Sequence, residues 1–215
     1  ICFGQSVGIG AAATPGNSYL WTPATGLSAD TISDPVANPT VTTTYILTEA
    51  ILSTSCFMSD TVVVTVNSLP AATVIANDTI CFGTSINIGG AATANHIYQW
   101  SPATGLNFTT LSNPVASPLV QTEYTLIETD TLTGCIDSNK VIISLNAIGT
   151  ATAGAPQTIC RNDSAQIGAA AVAGSAYSWS PAAGLSNPNS ANPMASPDST
   201  TTYTLTETII STGCN

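Results

Sequence analysis

Charge is scarce in this chain, and positive charge is almost missing. Of 215 residues 7% are charged; only Lys140 and Arg161 are basic, and the formal net charge is −10. Two cations cannot build a phosphate-binding face, which excludes a nucleic-acid partner and attraction to an anionic membrane surface. Long apolar runs are absent too, so no membrane span is expected in this segment. Aromatic residues make up 6% of the chain, too few for a broad stacking platform. Helix signals are nearly absent. There is no CxxC pair and no histidine that recurs beside the cysteines, which argues against zinc. No cofactor and no metal site is expected.

What is present is a repeat. The interval from Cys2 to Cys81 recurs unchanged from Cys81 to Cys160, and again from Cys56 to Cys135 and from Cys135 to Cys214. The same step relates Trp21, Trp100 and Trp179, and also Tyr45, Tyr124 and Tyr203. A period of this length describes an array of small domains. The expected units are residues 1–67, lacking a first strand, a complete 68–146, and 147–215, lacking a last strand. The chain opens and closes inside a repeat, so it reads as a segment of a longer protein. Asn67-Ser68-Leu69-Pro70 and Asn146-Ala147-Ile148-Gly149 are short junctions, unlike flexible tethers.

Thr, Ser, Val, Ile, Gly, Asn and Pro dominate, which suits short strands and tight turns. The run Thr61 to Asn67 puts Val62, Val64 and Val66 on one face, the period of a half-buried strand. Further strands are expected at Ala72 to Ala76, Ser6 to Ala13, Ser18 to Trp21, Pro35 to Asn38 and Thr43 to Glu49. Ala50 to Asp60 reads as a long hairpin, of a length to reach a neighbour. Six to seven short strands per repeat predict an all-β fold: Ig/PKD-like β-sandwiches in a linear array.

Few residues invite a chemical reading. The three tryptophans follow the second strand, as core tryptophans do in many sandwiches, and the recurring Tyr45, Tyr124 and Tyr203 read as core or corner residues. Glu49, Glu128 and Glu207 recur at a strand end, but no second acidic position recurs with them, as a calcium site requires. His96 does not recur and reads as a surface residue. No nucleophile, acid–base pair or paired carboxylate is identifiable, so no enzyme is expected.

The pattern Ile-Cys, Ile-Gly, Tyr-x-Trp-x-Pro-Ala-x-Gly-Leu, Thr-Thr-x-Tyr-x-Leu-Thr-Glu and Gly-Cys resembles tandem PKD-like/Ig-like repeats. These occur in very large secreted surface proteins of Bacteroidota-type bacteria. Tyr98 to Leu106 and Thr131 to Cys135 carry the likeness best. It implies a sandwich fold, export by the type IX route and a cell-surface location, with gliding-motility adhesins among the relatives. It implies no catalytic residues. Six of the eight aspartates precede Ser or Thr and then an apolar residue or Thr. That triplet resembles the O-glycan acceptor motif of such exported proteins, and marks Thr31, Thr61, Thr79, Thr131, Ser164 and Ser199 as candidate sites.

Six cysteines at two fixed places imply structural disulfides and an oxidising compartment. Two pairings compete. Within each repeat, Cys2–Cys56, Cys81–Cys135 and Cys160–Cys214 would use every thiol. In an Ig-like sandwich, however, the two cysteines sit at opposite poles, a strand length apart. Stacked neighbours would instead join Cys2 to Cys135 and Cys81 to Cys214, leaving Cys56 and Cys160 for repeats outside the segment. Topology favours this second scheme. The functional expectation is a stiff structural stalk or fibre of a surface adhesin. Its partners are neighbouring repeats, identical chains in a filament, and a surface glycan or protein ligand. The rival is an array of glycan- or protein-binding modules, reading ligand through the Pro23-Ala-Thr-Gly-Leu27 loop and its copies.

Overall fold

A computed structural model describes residues 1–215. It is all-β, with fifteen strands and no helix. The first copy holds β1 (Val7–Gly8), β2 (Asn17–Thr22), β3 (Val36–Ala37), β4 (Thr43–Ile51) and β5 (Cys56–Val64). The second holds β6 (Asp78–Cys81), β7 (Ile86–Asn87), β8 (His96–Ser101), β9 (Val115–Ala116), β10 (Thr122–Asp130) and β11 (Ile136–Asn146). The third holds β12 (Ala165–Gln166), β13 (Ser175–Ser180), β14 (Met194–Ala195) and β15 (Thr204–Ile209).

The second copy shows the whole topology. One sheet runs β6-β11-β10-β8, with β6 parallel to β11 and the other pairs antiparallel. Against it lies the β7-β9 pair, extended by a bridge from Val74 to Gly89. A first strand shared between two sheets, with its second half running parallel to the last strand, is the Ig-like sandwich arrangement. The first copy repeats it as β2-β4-β5 and β1-β3, with a parallel Cys2–Asn67 bridge in place of the β6-β11 pairing.

The core lies between the sheets. Trp100, Tyr124, Leu126, Val141 and Ile143 face Ile88, Ala72 and Ala116, all at most 1% exposed. These residues alternate along β10 and β11, as period-two patterning requires. Prolines keep the β7-β9 pair short: Pro114 precedes β9 and Pro118 follows it, and proline has no N–H to extend a ladder. Gly10 recurs for a steric reason. Its φ is +83°, and a Cβ there would strike the Ser33 carbonyl and come within 2.9 Å of Trp21 Cζ2.

Two expectations fail. The segment 72–76 is not a strand but holds a single bridge at Val74, and pairing begins at Asp78 instead. Ala72 takes a positive φ of 41°, which breaks any extended run. The second strand shrinks from 6–13 to Val7–Gly8, because Gly10 turns away at positive φ. The hairpin expected over 50–60 is present, and its strands are longer than read: β4 and β5 pair continuously from Thr43–Val64 to Ile51–Cys56. Its outward polar and apolar residues hide the alternation, but the ladder needs only backbone groups.

Candidate functional site

The joints between copies hold the chain's unusual chemistry. Cys2 is bonded to Cys135 and Cys81 to Cys214, each with Cα atoms 5.5 Å apart and a sequence separation of 133. The first cysteine of one copy is thus tied to the second cysteine of the next. The sheet explains why. Cys81 pairs with Asn146 at the far end of β11, whereas Cys135 immediately precedes β11. That strand is 11 residues long, about 35 Å at the usual rise, far beyond disulfide reach. A bond within the copy is therefore geometrically closed.

The hairpin carrying Cys135 is itself braced. Asp130 accepts from the Leu132 N–H at 2.8 Å and the Thr133 hydroxyl at 2.7 Å, while Gly134 donates to the Asp130 carbonyl. The Thr133 hydroxyl, then the Leu132 amide, hold the Asp130 carboxyl below its ordinary value. Thr133 Oγ1 also receives the Cys135 N–H at 3.3 Å, and Thr212 does the same for Cys214.

Sequence reasoning missed a second feature, inside the second copy where the chain enters it. Glu128 is 3% exposed. One oxygen accepts the Ala72 N–H at 2.7 Å; the other is 2.7 Å from His96 Nδ1. The carboxylate therefore fastens the segment entering the copy to the end of β10. His96 is not a surface residue, as expected, but a partly buried partner of this carboxylate. Its counterparts one repeat before and after are Asn17 and Ser175. Asn17 donates to Glu49 at 2.6 Å, while Glu207 is approached by the Tyr177 hydroxyl at 3.4 Å. The recurrence of the glutamate was visible in the sequence; its partners were not, because they differ in every copy. No group of three or more His, Cys, Asp or Glu side chains is placed to hold a metal ion.

The remaining sequence-predicted residues lie as follows. Trp21, Trp100 and Trp179 are 3%, 1% and 3% exposed, and each indole N–H donates to a loop carbonyl 11 residues on. A sugar-stacking role is closed to them. Tyr45 and Tyr124 are buried and donate to Thr25 and Thr104 carbonyls; Tyr203 donates likewise to Ala183. These bonds pin the Pro-Ala-x-Gly-Leu turn. Burial pushes the Tyr45 and Tyr124 phenols above their ordinary value, partly offset by Thr43 and Thr122. Thr31, Thr61, Thr79, Thr131, Ser164 and Ser199 are all exposed. Thr131 spends its hydroxyl on the Asn95 carbonyl at 2.7 Å. Cys56 and Cys160 are unpaired and exposed. Beside the bridges, open apolar grooves recur, lined by Phe3, Val41 and Leu69 in one copy and Phe82, Val120 and Ile148 in the next.

No protein-family model and no curated protein matches the chain. Among solved structures it is similar to the I-band fragment I67–I69 of titin, with 10% identity and a TM-score of 0.37 over 96% of this chain and 82% of that one. It is also similar to extracellular domains 3–5 of Drosophila OTK, with 6% identity and a TM-score of 0.31 over 96% of this chain and 91% of that one. A third likeness is to immunoglobulin domains 1–5 of Sidekick-1, at 11% identity and a TM-score of 0.31, covering 90% of this chain and 51% of that one.

Proposed function

We propose that this segment is a load-bearing stalk: three Ig-like units, residues 1–67, 68–146 and 147–215, held in line by a disulfide at each joint. The observation that carries this reading is the pairing itself. Both bridges join successive copies, at the same two positions and with the same separation. A disulfide placed inside a domain stabilises that domain; one placed across a joint removes bending freedom between two. Short junctions act in the same direction, and the Glu128 contact with Ala72, inside the second copy, fixes where the chain enters it.

The disulfides fit an oxidising, extracellular setting. The sequence resemblance extends the reading to a bacterial cell surface, type IX export and an adhesin, including one used in gliding. Six exposed Asp-Ser/Thr sites extend it to O-glycosylation, which would keep a chain of mean hydropathy +0.30 soluble. Rotary-shadowed images of the oxidised chain test the stalk. Uniform straight rods are expected, and they should become bent or variable on reduction. Equal bending in both states would overturn it. An intact mass of native material equal to the bare polypeptide would remove the glycans alone.

A further inference from the structure

Sheet edges in this chain are closed by side chains. On β11, ahead of the stretch that pairs with β6, Ser138, Lys140 and Ile142 turn their N–H groups outward. Each donates to a side-chain oxygen, of Asp137, Asn139 and Asn77, at 2.8 Å. In the small sheets Val36, Val115 and Met194 donate to Ser28, Asn107 and Ser186 at 3.0, 2.9 and 3.0 Å. Such caps deny a foreign strand the donors it would pair with.

The last strand of the first copy has a gap in this scheme. Thr61 in β5 is capped by Asp60 at 2.7 Å. Phe57 and Ser59 share its side of the strand, so their backbone groups also point away from β4. Neither N–H meets an acceptor. One residue makes the difference at Ser59: Met58 stands where the second copy has Asp137, the cap of Ser138. Phe57 and Met58 are 72% and 81% exposed. The gap does not arise from a missing neighbour. In the second copy, whose hairpin is bridged, β6 covers only Ile143 to Asn146, and Ile136, the counterpart of Phe57, stays 55% exposed.

We propose that Phe57–Ser59 is a self-recognition edge: β5 of a second copy of this chain adds to it antiparallel, about a two-fold axis through Met58. Phe57 then lies opposite Ser59 of the second copy, and the two exchange both backbone bonds. The two-fold makes each edge its own complement. Pairing continues the β2-β4-β5 sheet into that of the second copy. Charge permits this register. No charged residue lies between Glu49 and Asp60, and Asp60 falls opposite Cys56 of the second copy rather than another carboxylate. The Thr61 cap on one side and the turn at Ser55, with its φ of 58°, on the other keep the contact short. Covering both Phe57 rings removes about 300–500 Å² from water, below the roughly 1,200 Å² of a stable interface. The contact is therefore weak and reversible. Antiparallel pairing joins stalks that point in opposite directions, as those on two facing surfaces do. That use rests on the stalk reading; the pairing does not.

The Cys56→Ser/Cys160→Ser protein, free of unpaired thiols, serves as the parent for the test. Sedimentation velocity should show monomer at about 10 μM and dimer at about 1 mM. Met58→Asn supplies a neutral cap, as Asn139 does for Lys140, and should abolish the dimer. Met58→Gln, one methylene too long to repeat that cap, should retain it. Under mild oxidation of the parent carrying Met58→Cys, the new thiol should couple to its own copy about tenfold faster than those of Phe57→Cys or Ser59→Cys, because only residues on the axis come within about 4.5 Å between Cα atoms. Absence of dimer at the higher concentration, equal association of the Asn and Gln variants, or equal coupling at the three positions would overturn the inference. Images of single rods decide the stalk reading separately.

Discussion

Pulling the chain by its two ends discriminates between the possible covalent maps. With every cysteine reduced, Ile1 and Asn215 are separated by the whole backbone, about 740 Å fully extended. In the oxidised protein the shortest route runs from Ile1 to Cys2, across to Cys135, backward along the chain to Cys81, across to Cys214, and on to Asn215. That is about 190 Å of backbone, plus two bridges of 5.5 Å between Cα atoms. The length alone is not diagnostic, because three bridges within the copies would give nearly the same shortcut. The Cys56→Ser/Cys160→Ser double variant separates the schemes. Bridges between copies do not use either residue, so the oxidised length stays at about 190 Å. Bridges within copies would retain only Cys81–Cys135, and the route would lengthen to about 550 Å. Optical-trap extension of the oxidised double variant with handles at both termini reads this difference directly. The longer of the two contour lengths would refute the clamp and, with it, the stalk.

Individual contacts can be tested in the same way. Replacing Glu128 by Ala strips the Ala72 N–H and His96 of their acceptor, and should cost about 1–3 kcal/mol in chemical denaturation; no loss would show that the clamp contributes nothing. Asp130 has a depressed pKa, so its stabilisation of the hairpin is present above the unfolded carboxylate value of about 4 and is lost as pH falls through the lower folded value. Hydrogen exchange at Leu132 and Thr133 should accelerate in that acid window, and Asp130→Asn should abolish the step. Tyr45 and Tyr124 have raised pKa values, so their contribution is present below about pH 10 and lost above it; thermal stability should fall in that alkaline range, less so in Tyr124→Phe.

The fold was legible where side chains carry the pattern. Val62 and Val64, Tyr45 and Leu47, and Trp21 alternate in their strands as period two requires, and the prolines around Val36 and Val115 mark the short pair. It was illegible where backbone alone decides. The β4-β5 ribbon between residues 50 and 60 shows no alternation because both its faces are exposed. The segment at Ala72 looks extended, but its N–H is taken by a carboxylate 56 residues away. The site was half legible. Topology favoured bridges between copies, since a strand length separates the two cysteines of one copy. The glutamate contact could not be read, since nothing local to Glu128 names Ala72 as its partner.

The drift of position 96 beside a constant glutamate has a physical reason. Where the chain enters the second copy, the demand on Glu128 comes from a backbone N–H, which does not depend on the side chain at Ala72. A carboxylate suits that donor, and a buried carboxylate with a single partner would keep costly unmet acceptor capacity. The second partner need only donate. Asn17 does so with an amide and His96 with an imidazole, while in the third copy Tyr177 offers a hydroxyl at longer range. The entry point thus fixes the acceptor and leaves the donor free. Replacing His96 with Asn, the residue the first copy uses at this position, should therefore keep the clamp, since the amide donates to Glu49 there as the imidazole meets Glu128 here. Thermal melts of His96→Asn and Glu128→Ala beside wild type check this: the first should stay close to wild type and the second fall below both. A loss in His96→Asn as large as in Glu128→Ala would refute the view that the donor is interchangeable.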